Sequence, residues 1–322
     1  MLILSAYNRV LTYLKKIVYE LLFIEQWQLR YKFNRNTKIG FDDQFDTYQK
    51  IVPQKDRFWA DPFIVEENGS YYVFVEELKY RESKGYIAVI ELNEEISGPL
   101  NSRKILEKPY HLSYPFVFKL KDTYYMIPES TANKTIDLYQ CEEFPLKWSY
   151  CKTLMENVIA ADSTIKFYHG KYWMFTMIEP KEGITTNKDL HIFYSEDLLS
   201  NNWVAHPANP VVSNINSARP AGNIFEDEGV LYRPSQDCSE RYGWAMCVNK
   251  IITLNENEYI EEQVNHITPD WERKLLATHT FNKVGKLSMI DVLVKRWRFL
   301  SIFLNMVLFF TSTSSISSIV SL

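Results

Sequence analysis

Four stretches of the 322-residue chain repeat one another, and that repeat restricts the fold more than any other property of the sequence. They read FWADPFIVEENGSYYVFVEE (58–77), HLSYPFVFKLKDTYYMIPES (111–130), IAADSTIKFYHGKYWMFTMI (159–178) and SARPAGNIFEDEGVLYRPSQD (217–237), the last with a two-residue insertion. In register, Asp61, Tyr114, Asp162 and Arg219 share one position, spaced by 53, 48 and 57 residues. Tyr72, Tyr125, Trp173 and Tyr232 share a second, and Glu76, Glu129, Met177 and Gln236 a third. Each unit opens with an apolar run, turns at a polar or glycine-containing step (Asn68-Gly69, Lys121-Asp122, His169-Gly170, Glu228-Gly229) and continues as an aromatic strand. That pattern is a hairpin signature. A period of roughly fifty residues marks a repeat architecture.

Beyond each hairpin lies a third β-like run (YIAVIEL, TIDLYQC, LHIFYSE, YGWAMCV) and a more polar fourth (RKILEKP, YCKTLM, WVAHP, YIEEQV). Four strands per repeat describe the blade of a β-propeller, with the first strand on the central axis and the fourth at the rim. THTFN and LSMIDVLV, within 278–294, supply two strands of a fifth unit; WQLRYKF (27–33) and YQKIVPQ (48–54) supply its outer pair. The chain is therefore expected to close its ring by joining both termini in one blade. The competing fold is a β-sandwich with coincidental spacing, which three coincident marks in each of four units oppose. The predicted class is all-β: a five-bladed β-propeller over 26–296, an amphipathic helix within 1–25, and an apolar tail over 297–322.

Composition narrows the partners. With 36 Lys plus Arg against 40 Asp plus Glu, the chain lacks the basic footprint of a nucleic-acid binder. Its 46% hydrophobic and 24% charged residues belong to a folded protein. The four cysteines show no zinc-ligand spacing, so neither metal nor cofactor is expected, and reduced thiols point to a cytoplasmic setting. Lys15, Lys16 and Glu20 interrupt the N-terminal apolar stretch, unlike a secretory signal. Tyr7, Val10, Leu11, Leu14, Ile17, Val18, Leu21 and Leu22 fall at helical spacing, and residues 299–322 carry no charge. Both ends are candidates for contact with the inner face of a membrane; the competing readings are a helix docked on the domain's own surface and a tail that is a membrane anchor, a peripheral apolar patch or a disordered end.

The chemistry-bearing residues follow from the repeat, because equivalent inner-strand positions of a propeller converge on its axis. Asp61, Tyr114, Asp162 and Arg219 meet there, with His279 from the fifth unit and Glu76, Glu129 and Gln236 from second strands. Carboxylates, an amide, an arginine and aromatic faces suit a polyhydroxylated ligand. Asp61, Asp162 and Glu129 are the candidate catalytic acids, two of which would stand about 6.5–9.5 Å apart in an inverting glycosidase. Arg219, Tyr114, Glu76, Gln236, His279 and Trp59 are the candidate sugar contacts. Each has a structural alternative: Asp61 before Pro62 as a turn acceptor, Arg219 as a buried partner of Asp61 or Asp162, Trp59 and Trp173 as core.

The Asp-Pro step, the five-unit count and the axial acids resemble the propellers of glycoside hydrolase family 43 and the related invertases and arabinanases. A closer resemblance runs from 26 to about 294, through WADPF, SYPFVF, YYMIPES, ADST with YWMFT, LHIFYSEDL, and ARPAGNIF leading to YRPSQDCSERYG. These runs resemble the N-terminal propeller domain of glucosamine inositolphosphorylceramide transferases. The hydrolase resemblance implies Asp61 as general base; Tyr114 stands where that family has a second Asp, and Asp162 where it has the acid Glu. The transferase resemblance implies work in surface-glycan assembly, with sugar transfer itself in a separate C-terminal domain. Two functions remain open: a propeller that acts on a sugar intermediate by glycosyl transfer or hydrolysis, and a non-catalytic glycan-binding or scaffolding subunit beside a partner glycosyltransferase.

Overall fold

The computed structural model describes residues 19, 21–34, 44–94 and 100–298. The predicted N-terminal helix, apart from Tyr19, Leu21 and Leu22, and the tail from 299 onward lie outside them. No helix among the described residues is long and apolar enough to cross a membrane. The chain divides into two compact units, one of residues 27–293 and one of 1–26 with 294–322. In the smaller unit, Phe23 packs on Trp297 with ring centroids 4.2 Å apart, and the Lys295 ammonium lies 3.9 Å from the Phe23 centroid.

The larger unit is a five-bladed β-propeller. Blade 1 pairs Arg57–Glu67, Ser70–Lys79, Tyr86–Leu92 and Ser102–Leu106 in sequence. Blade 2 pairs Ser113–Leu120, Thr123–Glu129, Thr135–Glu143 and Lys147–Glu156. Blade 3 pairs Ala160–Tyr168, Lys171–Ile178, Asp189–Ser195 and the short Val204–Ala205, and blade 4 pairs Phe225–Asp227, Val230–Asp237, Ala245–Leu254 and Tyr259–Ile267. Blade 5 joins the termini as expected: Phe281–Val284 pairs with Leu287–Trp297, then come Phe23–Phe33 and Gln49–Ile51.

The repeat register is the hairpin register. Val65 faces Tyr72, Phe118 faces Tyr125, Lys166 faces Trp173 and Phe225 faces Tyr232. Asn68-Gly69, His169-Gly170 and Glu228-Gly229 adopt positive φ at both turn residues, the conformation whose twist matches the flanking strands. The aromatics of the repeat divide their work. Tyr125 and Tyr232 stack on their cross-strand partners Phe118 and Phe225 at 5.9 and 5.7 Å, whereas Tyr72 packs edge-on against Phe144 of the next blade at 5.0 Å. Phe63 touches Tyr114 and Phe116, and Phe74 touches Trp148, sealing blade 1 against blade 2. Each such pair adds about 0.5–1.5 kcal/mol beyond its buried area.

Strands of blades 4 and 5 differ from the sequence expectation, and the first of blade 4 is confined to Phe225–Asp227, which leaves Arg219 in a bend ahead of it. The third strand of blade 4 begins at Ala245 rather than Tyr242. Gly243 turns the chain at φ +60, and a Cβ there would lie 2.7 Å from the His279 ring. The first strand of blade 5 begins at Phe281 rather than Thr278, because the His279 and Thr280 N–H groups are drawn to the Asp291 carboxylate instead of a ladder.

Candidate functional site

The three equivalent inner-strand residues Asp61, Tyr114 and Asp162 all occupy left-handed backbone, at φ 52, 43 and 53. Each opens a bulge, where pairing skips from Ala60 to Phe63, Ser113 to Phe116 and Ala161 to Thr164. A bulge leaves its extra residue unpaired and re-aims its side chain, here toward the axis. Holding a bulky residue such as Tyr114 in left-handed backbone costs about 1–2 kcal/mol, so surrounding contacts must impose it.

Those contacts form a recurring junction. The unpaired N–H of each bulge donates to a carboxylate of the preceding blade: Asp61 to Asp291 Oδ2 at 3.0 Å, Tyr114 to Asp61 Oδ2 at 3.2 Å, Asp162 to Glu129 Oε2 at 3.3 Å. The junction between blades 3 and 4 uses side chains instead. Arg219 Nε donates to Asp162 Oδ2 at 2.6 Å, Nη2 to Glu129 Oε2 at 3.3 Å and Nη1 to Asn187 Oδ1 at 2.9 Å. The guanidinium also lies 4.9 Å from the Tyr242 ring centroid, and Gln236 Nε2 adds a 2.9 Å bond to Asp162 Oδ2.

Between blades 5 and 1, His279 Nδ1 donates to Asp291 Oδ2 at 2.7 Å and lies 3.8 Å from Asp61 Oδ1, which accepts from Thr280 Oγ1 at 2.7 Å. The imidazole stacks on Trp27 at 4.0 Å. Asp61, His279 and Asp291 are close enough together to suggest a metal set. Asp291, however, already accepts four N–H bonds, from His279 N, Thr280 N, Asp61 N and His279 Nδ1, so hydrogen bonds hold this group together.

The electrostatics separate the acids. Burial, reinforced by Glu76 and Asp291 and opposed by His279, lifts Asp61 to about 6. Burial opposes charge on His279, but the Asp291 and Asp61 carboxylates outweigh it and raise its pKa to about 9. Asp162 is pushed well above the carboxylate range by burial, against Arg219 and with help from Glu129 and Asp61. Burial would raise Glu129 too, yet Arg219 and the hydrogen bond with Asp162 bring it below its ordinary value. Burial and the neighbouring Glu129 thus oppose charge on Asp162, while Arg219 favours charge on Glu129.

Access differs as sharply. Asp61 and Asp162 are 4% and 2% exposed, whereas the Glu129 side chain is 15% exposed and lines a pocket of about 280 Å³. His111, Thr131, Lys134, Glu179 and Lys181 share that lining. His111 accepts the Gly85 N–H at Nδ1 and donates from Nε2 to Glu76 at 2.9 Å, which assigns the Nε2–H tautomer. Glu179 accepts both the N–H and hydroxyl of Thr186 and the Asn187 N–H, shaping the loop that presents Asn187 to Arg219.

Asp61, Glu76, Glu129, Asp162, Arg219, Gln236 and His279 are thus gathered in one network. Tyr114 joins it as a strut: fully buried, its hydroxyl accepts the Gly222 N–H at 2.7 Å and lies 3.0 Å from Thr164 Oγ1. Trp59 is not brought there. It faces Glu77 across the hairpin, donates its indole N–H to Glu77 at 2.8 Å, and lies in the core with Tyr71 and Val73, because strand alternation puts 59 and 77 on the face opposite Glu76. Sequence reasoning passed over Asp291, Thr280, His111, Asn187, Tyr242 and Trp27. Asp291 carried a signal, as the one charge within the apolar run LSMIDVLV.

Comparison with known proteins adds the lineage. The family model described as "Glucosamine inositolphosphorylceramide transferase 1, N-terminal" matches residues 48–292. The chain belongs to this family. Among curated relatives, glucosamine inositolphosphorylceramide transferase 1 of Oryza sativa subsp. japonica is 36% identical over 210 residues, covering 65% of this chain and 28% of the rice protein. Its namesake in Arabidopsis thaliana is 34% identical over 209 residues, 64% of this chain and 27% of that protein. The match therefore spans little more than a quarter of these full-length transferases. Solved structures share the propeller fold. The catalytic domain of Coprinopsis cinerea GH62 α-L-arabinofuranosidase has a TM-score of 0.54 at 11% identity, covering 82% of this chain and 97% of that one. Zg3597, a family 117 glycoside hydrolase of Zobellia galactanivorans, has a TM-score of 0.50 at 10% identity, covering 84% and 90%.

Proposed function

We propose that this propeller takes a sugar at its axial mouth, and binds or transforms it during the assembly of a surface glycan, beside a glycosyltransferase. The observation that carries the reading is the convergence of polar side chains from all five blades on one network that opens, through Glu129, into a pocket at the small end of ligand sites. Membership in a family named for a sugar transferase supports the substrate class.

In the catalytic form of the reading, Asp61, with its pKa lifted to about 6, is ionised at neutral pH and serves as base. Asp162, whose pKa burial raises, is the acid, and Arg219 orients a hydroxyl or anionic group with the two N–H bonds it does not spend on Asp162, Glu129 and Asn187. Glu129 and His111 face the incoming sugar. A second reading, pure glycan binding, is favoured by the near-complete burial of Asp61 and Asp162 and by their engagement in blade junctions.

Calorimetry against nucleotide sugars and short oligosaccharides, paired with chromatography of the products, tests both. Glu129→Gln should weaken binding by about tenfold or more, roughly 1.4 kcal/mol. Asp61→Asn and Asp162→Asn should abolish turnover while retaining binding. Binding without turnover selects the second reading. A protein that binds none of these sugars, or binds them equally well as Glu129→Gln, defeats the proposal.

A further inference from the structure

Blade 4 carries a second cluster of different chemistry, away from the axial network. Asp237 ends the second strand, Cys247 lies on the third and His266 on the fourth. Ladder pairing sets Cys247 opposite His266 and Asp237 opposite Ala245, two residues along. Because side chains alternate with period two, positions 245 and 247 share a face, so three chelating side chains from three neighbouring strands meet on it. Asp237 Oδ2 is 3.0 Å from His266 Nε2, and carboxylate, thiol and imidazole atoms all lie within 4.8 Å of one another.

We propose that Asp237, Cys247 and His266 bind a soft divalent transition metal, with zinc the expected occupant and a fourth position open toward solvent. A tetrahedral ion with bonds of about 2.0–2.3 Å holds its ligands roughly 3.3–3.8 Å apart, so the cluster needs only small side-chain adjustments. Sulfur and imidazole select zinc-like ions over calcium or magnesium. The support around the ligands is already built. The Ser239 N–H donates to Asp237 Oδ1 at 2.9 Å, which fixes the carboxylate and leaves Oδ2 toward the ion. Cys247 now directs its thiol to the Asn216 carbonyl at 3.4 Å; the metal takes the place of that proton, which leaves to solvent. Asp237 and Cys247 are buried and His266 is exposed, giving the ion a way in. Intervals of 10 and 19 residues conceal the set in the sequence, since the sheet and not a local motif assembles it. Asp237 directly follows Gln236, the amide that braces Asp162, so the ion would clamp three strands where blade 4 supports the axis.

The test uses the full chain stripped with a chelator, titrated with Co²⁺ alone and then with Zn²⁺. The expected result is one ion per chain, a thiolate-to-cobalt charge-transfer band with tetrahedral ligand-field bands, bleached by one equivalent of Zn²⁺. Cys247→Ser should erase the charge-transfer band, and His266→Ala should weaken Zn²⁺ binding by more than about tenfold, the loss that even an outer-shell partner causes. Cys238→Ser should leave both unchanged. His266 is exposed, so His266→Ala keeps the test decisive if Cys247→Ser fails to fold. Absence of the band in the unaltered chain, or equal metal binding by His266→Ala, overturns the proposal and leaves a His–Asp ion pair beside an inert thiol.

Discussion

Replacing Asp291 by Asn probes whether a buried carboxylate closes the ring. Asp291 is fully buried and accepts from the backbone N–H groups of His279 and Thr280 on one oxygen and from Asp61 N and His279 Nδ1 on the other. Asn preserves the shape but turns one oxygen into a donor, so in either orientation two N–H groups face an NH₂. Each unsatisfied buried group costs about 1–3 kcal/mol. The charge matters separately. His279 rises from its ordinary 6.5 to about 9, and that span is worth about 3 kcal/mol. These terms overlap, and a loss of about 3–5 kcal/mol is expected, as for other broken buried pairs. At roughly 2–4 °C per kcal/mol for a domain of this size, the melting temperature should fall by about 6–20 °C. Because folding raises the His279 pKa, its contribution is fully present below about 6.5 and is lost as pH rises through about 9. Urea denaturation at pH 6, 7.5 and 9.5 should therefore show the gap between the unaltered chain and Asp291→Asn narrowing with pH. A loss below about 1 kcal/mol, or a gap that does not narrow, refutes the assigned role.

Tyr114→Phe strands the Gly222 N–H and should cost about 1–3 kcal/mol in denaturant titrations, while sugar binding at Glu129 holds; a fall in affinity without a fall in stability would make Tyr114 a ligand contact instead of a strut. Gly222 sits at φ +134, with Phe281 O only 2.1 Å from where a Cβ would stand, so Gly222→Ala should lose more than about 4 kcal/mol or fail to fold. At Gly69 the backbone is also left-handed but nothing lies near a Cβ, and Gly69→Ala should cost only about 1–2 kcal/mol by thermal melting. Equal losses at the two glycines would contradict the close packing between blades 4 and 5.

The propeller was legible because its repeat is written twice, once in apolar alternation and again in turn chemistry. Asn68-Gly69 and His169-Gly170 mark the same structural step, and the pairing of residue 65 with 72, 118 with 125, 166 with 173 and 225 with 232 follows from those turns. Strand alternation also parts Glu76 from Glu77: Glu76 meets His111, and Glu77 meets Trp59 and Tyr86. Trp59 follows Glu77, which is why its closeness in sequence to Asp61 misled. Asp291 stayed hidden for another reason. It lies off the repeat register, so alignment could not flag it, and the loop it captures had every mark of a strand. Long-range capture of N–H groups by one carboxylate leaves no periodic trace.

The bulge geometry changes what the axial acids mean. A left-handed residue at the head of each of the first three inner strands exposes an N–H that must be satisfied inside the ring, and in each case a carboxylate of the preceding blade accepts it. Acids at the axis are thus required by the backbone before any ligand arrives, and their presence alone is weak support for catalysis. What the junctions do not require is the asymmetry. Asp291 serves its junction with no share in the pocket, Asp61 titrates near 6, and Glu129 accepts the Asp162 N–H while facing the pocket, with Arg219 as counter-charge. A purely structural ring needs no arginine shared between Asp162 and the pocket-lining Glu129. The functional case therefore rests on Glu129, Asp162 and Arg219, at the junctions between blades 2, 3 and 4, and it is there that a ligand should be sought.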